Sequence, residues 1–567
     1  MEKRWVVRKT DEQKVQALQE ALNIHPVLCK LLVDRGIETF EDAKTFFRPS
    51  LDQLLDPFLM KDMDKAVARI KSAMDNRERI LIYGDYDVDG TTSVSLMFLF
   101  LNPIYPNIDY YIPNRYTEGY GISTQGIDYA VENKCGLIIA LDCGVKAVEQ
   151  AKYATESGVD MIICDHHLPG EVIPDVVALL DPHQPGCDYP YKYLSGCGIG
   201  FKLAQGFTKY ADLDPKGVLN LLDLVTVSIA SDIVPLTGEN RVLAHFGLQK
   251  INSDPLTGLQ ALMEVSDMRP PVTISKIVFG LGPRINAAGR LDDAKKAVRM
   301  LVASTPQFAQ EHAGVLQGHN LDRKEIDKQI TAEAIELLEN NPLTPELVTN
   351  VLYNPDWHKG VIGIVASRVM DNFYKPTIML TKSNGVLAGS ARSVKGFDVY
   401  EALSECSEYL EQFGGHMYAA GMTMQPEQYE PFRNKFEEVV KKSIRPEQLI
   451  PEIEIDAELE LSDINNKFYN ILKQFAPFGP ENMPPLFITS NLTCNGRSKV
   501  VGNGHLKLDI KDNNGNRANG IAFQQAAHYP YIASRYPYDL AYYVEENHFN
   551  GNVSLQLNVK DIRAHKL

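Results

Sequence analysis

Short apolar runs recur between residues 79 and 181, each ending in polar or turn-forming residues: RILIYG (79–84), NIDYYIP (107–113), GLIIALD (136–142), MIICD (161–165) and VVALLD (176–181). Runs of this length with little alternation predict strands buried on both faces. The stretches between them, such as VKAVEQAKYATESG, carry helical spacing, and strands alternating with helices predict a parallel sheet in an α/β domain. Helical periodicity continues through 198–250, and the Glu/Lys/Gln/Ala/Leu-rich segment from Thr305 to about Asn340 predicts one extended helix. Residues 345–445 read as a second α/β unit. Beyond IRPEQLIPEI the texture changes: HLKLDIKD and VSLQLNVKDI alternate, and DNNGN and HFNG mark turns, predicting a small β barrel or sandwich. Residues 1–75 read as mostly helical. The division expected is a helical segment over 1–75 packed on an α/β domain over 76–304, a connecting helix over 305–343, a smaller α/β domain over 344–448 and a β domain over 449–567.

Composition changes this picture little. A hydrophobic fraction of 44% and a charged fraction of 23% are those of a globular protein. No apolar run reaches the roughly 18 residues of a membrane span, and the N-terminal MEKRWVVRKTDEQK lacks an apolar signal core, so a cytoplasmic protein is expected. The eight cysteines form no CxxC pair, which indicates neither structural zinc nor a disulfide framework. A net charge of −16 argues against a nucleic-acid coating protein, yet an acidic exterior can coexist with a local basic groove.

The chemistry lies where the apolar runs end. YGDYDVDG places Asp85, Asp87 and Asp89 at one strand end, ALDCG places Asp142, ICDHH places Asp165, His166 and His167, and IASDIVPL adds Asp232 from a helix end. A lone DxD is most often a solvated turn. Four clusters are different, because an open α/β sheet delivers the residues beyond its strands to one crevice. So much negative charge calls for a cation. Mixed Asp and His donors suit Mn²⁺ or a similar divalent ion, and the number of ligands suffices for two. Gly84 and Gly90 flank the first cluster as candidates for a tight turn or a close approach of backbone to ligand.

In this order these motifs resemble the DHH phosphoesterase superfamily, and more narrowly its RecJ branch of single-strand-specific 5′→3′ exonucleases. The resemblance rests on GDYDVDGTTS, PNRYTEGYG, GPRINAAGR, WHKGVIGIVASR, GSARS, FGGHMYAAG and APFGPENMPP and runs along essentially the whole chain. It implies a DHH domain, a DHHA1 domain carrying the Gly414-Gly415-His416 signature, and a terminal OB fold. It implies Asp87, Asp89, Asp142, His166, His167 and Asp232 as metal ligands and catalytic residues, with two Mn²⁺ or Mg²⁺ ions as cofactors. Asp85, Asp165 and His183 are further candidates, Asp165 as an orienter of a ligating imidazole. Arg115, Arg284, Arg290, Ser390, Arg392, Gly415 and His416 are candidates for binding substrate, with Arg115 and Arg392 the preferred pair. The sequence departs from the family pattern at Ala391 in GSARS and at Glu481 and Met483 in APFGPENMPP.

The activity so implied is two-metal hydrolysis of single-stranded DNA from its 5′ end to 5′-mononucleotides, in repair and recombination. The expected partners are single-stranded DNA, a helicase and a single-strand-binding protein, and the expected state is a monomer with no membrane association. Two alternatives stand beside it. One is a DHH phosphodiesterase of short oligonucleotides or small phosphoesters, against which the OB-like tail argues. The other is a non-enzymatic strand-binding scaffold, which would have lost metal ligands that this sequence keeps.

Overall fold

The computed structural model describes residues 3–565. The five apolar runs form strands Arg79–Gly84, Ile108–Tyr111, Cys135–Leu141, Asp160–Cys164 and Ala178–Leu180. They join in one parallel sheet, ordered 108–111, 79–84, 135–141, 160–164, 178–180. Alternate residues enter different cores. Ile80 and Ile82 pack with Leu137, Ile139 and Ile162 on one face; Leu81 and Tyr83 pack with Ile138, Ala140 and Ile163 on the other. Both faces are covered, which is why the runs scarcely alternate. The order reverses at strand 79–84, and the crevice there, beyond the carboxyl ends, is where open α/β sheets bind ligands.

Helices Gly196–Tyr210, Leu222–Ser231 and Gly238–Ser253 continue this domain. Thr305 caps the long helix Pro306–Asn340 by accepting the Phe308 N–H at 3.4 Å. The second α/β unit has a mixed sheet, ordered 412–416, 419–424, 386–392, 377–383, 350–353, whose only parallel pair is the last. Residues 457–564 form a seven-stranded sheet in which Phe487–Cys494 also pairs with His505–Lys511, closing it into a barrel of the OB type.

The N-terminal segment departs from the expected division. Arg4–Val7 is a strand, and it pairs in parallel with Glu452–Ile455. Helices Glu12–Leu22, Pro26–Val33 and Phe40–Phe47 put Leu18, Leu28, Leu32 and Ala43 into the same core as the barrel residues Phe487, Leu508 and Leu540. Apolar side chains enter the parallel-sheet core from Leu51 onward, and helix Met63–Asp75 lies in that core. The reason is physical: an amphipathic helix declares that it has an apolar face, not which core the face enters. A four-residue edge strand is too short to show a period.

One buried guanidinium fastens these bodies together. Arg241 is 5% exposed and stacks 3.8 Å over the Phe46 ring. It donates to the carbonyls of Phe46, Gln474, Phe475, Ala476 and Pro477. Arg35 holds the same loop from the N-terminal side, donating to Asn482 Oδ1 at 2.7 Å and the Met483 carbonyl at 2.8 Å. Met483 contributes its carbonyl while its side chain is exposed, so a family departure is harmless there. Arg241→Ala is expected to strand several buried carbonyls and to cost about 3 kcal/mol. Amide exchange over 474–483 is the measurement: it is expected to accelerate in the variant, and unchanged protection would show that the clamp is dispensable. Arg241→Lys is expected to restore little, since an ammonium lacks the planar fork.

Candidate metal centre and phosphate cavity

The strand ends bring the acidic clusters together. Asp87 caps helix Val88–Leu101, accepting the Gly90 N–H at 3.0 Å. Asp89, one turn in, is held by a second helix: its carboxylate accepts the N–H groups of Gly196 at 2.6 Å and Cys197 at 2.8 Å, and the Ser228 hydroxyl at 2.7 Å. Helix N-termini favour such a charge. Gly84 and Gly90 have ordinary negative φ; their role is close approach. A Cβ on Gly84 would lie 3.0 Å from the Gly90 carbonyl oxygen, and one on Gly90 would lie 2.6 Å from Asp85 backbone atoms. Asp142 sits at φ 61° just past strand Cys135–Leu141, and Gly196 leaves the room its carboxylate occupies.

His166 Nε2 is the centre of the arrangement. It lies 3.2 Å from Asp142 Oδ1, 3.6 Å from Asp232 Oδ2 and 3.7 Å from Asp89 Oδ2. Burial holds this imidazole below its ordinary pKa, although the surrounding carboxylates pull the other way. Neither Nε2 nor Asp142 Oδ1 has a hydrogen-bond partner. Two donor groups emerge, Asp142–His166–His167 and Asp89–His166–Asp232, the ligand atoms of each lying within 4.8 Å of one another. Orphaned, buried N and O donors pointing at one another fit divalent cations and little else.

Asp165 is spent inside the protein. It accepts the N–H groups of Val145, His166 and His167 and, at 2.7 Å, faces His167 Nδ1. Burial alone would raise its pKa, but His167 and these amides draw it down to about 2. Burial would lower His167, yet the bond to Asp165 lifts it to about 9. Asp165 thereby fixes the ring and turns Nε2 outward, 3.2 Å from the Tyr120 hydroxyl. Asp85 is buried with both oxygens unpartnered, its pKa pushed well up by burial and then by Asp87. Burial and then Asp89 likewise raise Asp87, Asp142 and Asp232. His183 stands outside the two donor groups, its N–H bonded to Asp181.

A cavity of about 520 Å³ opens between the two α/β units. Arg115 and Arg290 reach it from the parallel-sheet side; Lys359, Ser390 and Arg392 reach it from the other. Among the described residues no Asp or Glu lines it, and no carboxylate forms an ion pair with these cations. Arg290 is lowered to about 10, first by burial and then by Arg115, Arg323 and Arg392. Cations gathered without counter-charge make an anion site. Arg115 bears on Asp85 and stacks 5.0 Å from the Tyr86 ring, so the cavity adjoins the acidic cluster. The seam is tight: Arg290 donates to the Gly360 carbonyl at 3.0 Å, Tyr116 donates to the Arg290 carbonyl, and a Cβ on Gly360 would meet both partners.

Other expected residues lie elsewhere. Arg284 is tied to Gln317 Oε1 and the Gly280 carbonyl, both at 2.7 Å, within helix packing and off the cavity wall. Gly414 lines the cavity, whereas Gly415 and His416 do not; Gly415, at φ 154°, lets strand 412–416 approach Ala419–Ala420, and His416 is exposed. Ala391 points into the core of its own domain, so the departure from the family motif leaves Ser390 and Arg392 on the wall. Sequence reasoning missed Gly196, Cys197 and Ser228 behind Asp89, and Asp181, whose pKa burial pushes up to about 7. The Ser-Gly start of SGCGIG, a helix cap with exposed amides, was the available signal.

Residues 79–229 match the DHH family N-terminal domain, 345–442 the DHHA1 domain and 455–561 the RecJ OB domain. Single-stranded-DNA-specific exonuclease RecJ of Bacillus subtilis is 37% identical over 98% of this chain and 70% of its own length. The Escherichia coli protein of that name is 32% identical over 95% of this chain and 96% of its own. RecJ of Thermus thermophilus, solved with Mn²⁺, superposes with a TM-score of 0.85 at 26% identity, covering 100% of this chain and 80% of that one.

The perturbed groups define a pH test. His167 is raised from 6.5 to about 9, so the stability it contributes is complete below pH 6.5 and is lost as pH rises through about 9. The raised carboxyls of Asp85, Asp142 and Asp232 act in the same sense. The thermal midpoint of EDTA-treated protein is therefore expected to fall between pH 6.5 and 9, and saturating Mn²⁺ to flatten or reverse the slope. A midpoint indifferent to both would refute the cation site.

Proposed function

Because the chain belongs to the RecJ family of single-stranded-DNA-specific exonucleases, we propose that it degrades single-stranded DNA from the 5′ end to mononucleotides at a divalent-metal centre. The observation that carries the reading is the cavity of unneutralised arginines next to a nest of unpartnered carboxylate and imidazole donors. Asp87, Asp89, Asp142, His166, His167 and Asp232 would hold Mn²⁺ or Mg²⁺. A pair of such ions supplies Lewis acidity, activating water and offsetting charge on the phosphoryl group. The chain's own residues then do the rest. The helix N-terminus at Gly196 and the Ser228 hydroxyl fix the Asp89 oxygens. Asp165 retains the proton on His167 Nδ1, leaving the Nε2 lone pair for an ion.

Arg115, Arg290 and Arg392, with Ser390, receive the terminal 5′ phosphate. Forked guanidinium donors fix its position as well as its charge, which explains an exonuclease that counts from one end. Arg392 is already aimed, donating to Ser390 Oγ at 3.0 Å and to the Ala391 carbonyl at 2.6 Å. The OB barrel serves the body of the strand. Arg497, Lys499, Lys507 and Arg517 line a shallow cavity of about 430 Å³ on it, and Lys499 sits directly opposite Lys507 across the ladder. Like charges placed opposite each other destabilise a sheet, so they favour a polyanion. Full-length kinship to polymer exonucleases leaves the small-phosphoester alternative without support. No helix among the described residues is long and apolar enough to cross a membrane. A cytoplasmic monomer fed by a helicase and a single-strand-binding protein completes the proposal.

Strands labelled at either end test it. With Mn²⁺, the 5′ label is expected to leave at once as mononucleotide while the 3′ label gives a shrinking ladder; duplex and EDTA controls stay silent. Asp142→Ala is expected to abolish cleavage while sparing fold and strand binding, and surviving cleavage would remove Asp142 from the centre. Lys507→Glu with Arg517→Glu is expected to weaken binding of long strands, flatten its salt dependence by about one to two counterions, and spare very short substrates. Equal losses on long and short strands would overturn the assignment of the barrel.

A further inference from the structure

Helix Leu222–Ser231 ends beside the donor groups. Asp232 is its C-cap, with its N–H bonded to the Ser228 carbonyl at 2.9 Å, and the next residue, Ile233, takes φ 59°. That position after a helix normally belongs to glycine or asparagine, because a Cβ is disfavoured in the left-handed region, and most of all a branched one. Among the described residues fifteen non-glycine positions have positive φ, and Ile233 is the only β-branched one. Burial does not offset the strain, since Ile233 is 65% exposed. The conformation is imposed from outside. Pro235 is pinned by Asn240 and Tyr191, whose donors lie 2.9 and 3.1 Å from its carbonyl, and the Leu236 N–H donates to the Pro480 carbonyl at 2.8 Å.

A strained, exposed isoleucine serves neither the helix nor the core, so its contact lies outside the chain. Its Cα is about 3.8 Å from that of Asp232, whose carboxylate stands among the donors around His166. The loop it begins is hydrogen-bonded to Pro480, in the barrel segment that precedes strand Phe487–Cys494, whereas Asp85, elsewhere in the acidic cluster, is the carboxylate that feels Arg115 and the phosphate cavity. Ile233 therefore stands on the barrel side of the centre. Aliphatic side chains hold bases by packing on their faces or wedging between them.

We propose that Ile233 is a substrate-positioning residue that packs against the base of the nucleotide on the 3′ side of the scissile phosphodiester. The inference rests on the exonuclease reading above. The test uses 5′-phosphorylated single strands, intact or with one abasic nucleotide moved through the second to fourth positions, and the wild-type, Ile233→Gly, Ile233→Asn and Ile233→Val proteins. Glycine and asparagine accept the backbone conformation, so their thermal midpoints are expected to equal or exceed the wild-type value. On the intact strand both are expected to lose about tenfold in kcat/KM, chiefly through KM. Ile233→Val is expected to stay near wild type. An abasic second nucleotide is expected to penalise wild type and Ile233→Val but to add nothing in Ile233→Gly or Ile233→Asn. Wild-type rates in the glycine variant, an undiminished abasic penalty, or a lowered midpoint would each overturn the proposal. Failure of the wild-type protein to cut the intact strand would remove the exonuclease reading, and this inference with it.

Discussion

Repulsion among carboxylates at the ends of a buried parallel sheet is the constraint around which this protein is organised. Asp85, Asp87, Asp142 and Asp232 are each held above the ordinary carboxylate range by burial and by one another. Such a cluster survives in a folded chain only if the surroundings are rigid and positive charge is available. Rigidity comes from the helix amides on Asp89, the spent carboxylate of Asp165 and the glycines that let helix and strand close up. A divalent cation supplies the charge, and its removal leaves the repulsion unbalanced.

The basic cavity mirrors this design with the opposite sign. Arg115, Arg290 and Arg392 repel one another as the carboxylates do, and neither set neutralises the other although they adjoin. Arg115 and Arg290 come from the domain that holds the carboxylates, and Arg392 comes from the domain reached through helix Pro306–Asn340, so the cavity is complete only where the two domains meet. The proposed function uses this pairing, with the phosphate end of a strand in the cationic half and the phosphodiester in the anionic half. The chain's overall charge of −16 is no obstacle, because the field that matters is local.

Much of this was legible in the sequence, for reasons that differ by element. The sheet could be read because buried strands leave continuous apolar runs, and the donors because three of those runs, and one helix, end at Asp or His. Arg115, Arg290, Ser390 and Arg392 line one cavity, whereas Arg284 is drawn into helix packing by Gln317, a partner that residue type alone does not reveal. Residues 4–47 were assigned to the wrong core, since packing partners at long range leave no local trace. The capping sequence at Ser195 marks a helix start, but its pairing with Asp89 leaves no local trace: the anchoring amides are 107 and 108 residues away.

That long-range pairing has a consequence for how the chain is made. The strand Arg4–Val7 finds its partner at Glu452–Ile455, and the helices behind it share a core with residues up to Ile562. At roughly 5–20 residues per second of synthesis, the first segment waits roughly 20–90 seconds for that partner to be made. The parallel-sheet domain can collapse meanwhile, its core being complete once the helices to Leu316 have emerged. Vectorial synthesis thus completes the parallel-sheet core before the barrel core can form. The waiting N-terminal helices, with Leu28, Leu31 and Leu32 uncovered, are the stretch of the nascent chain most in need of a chaperone.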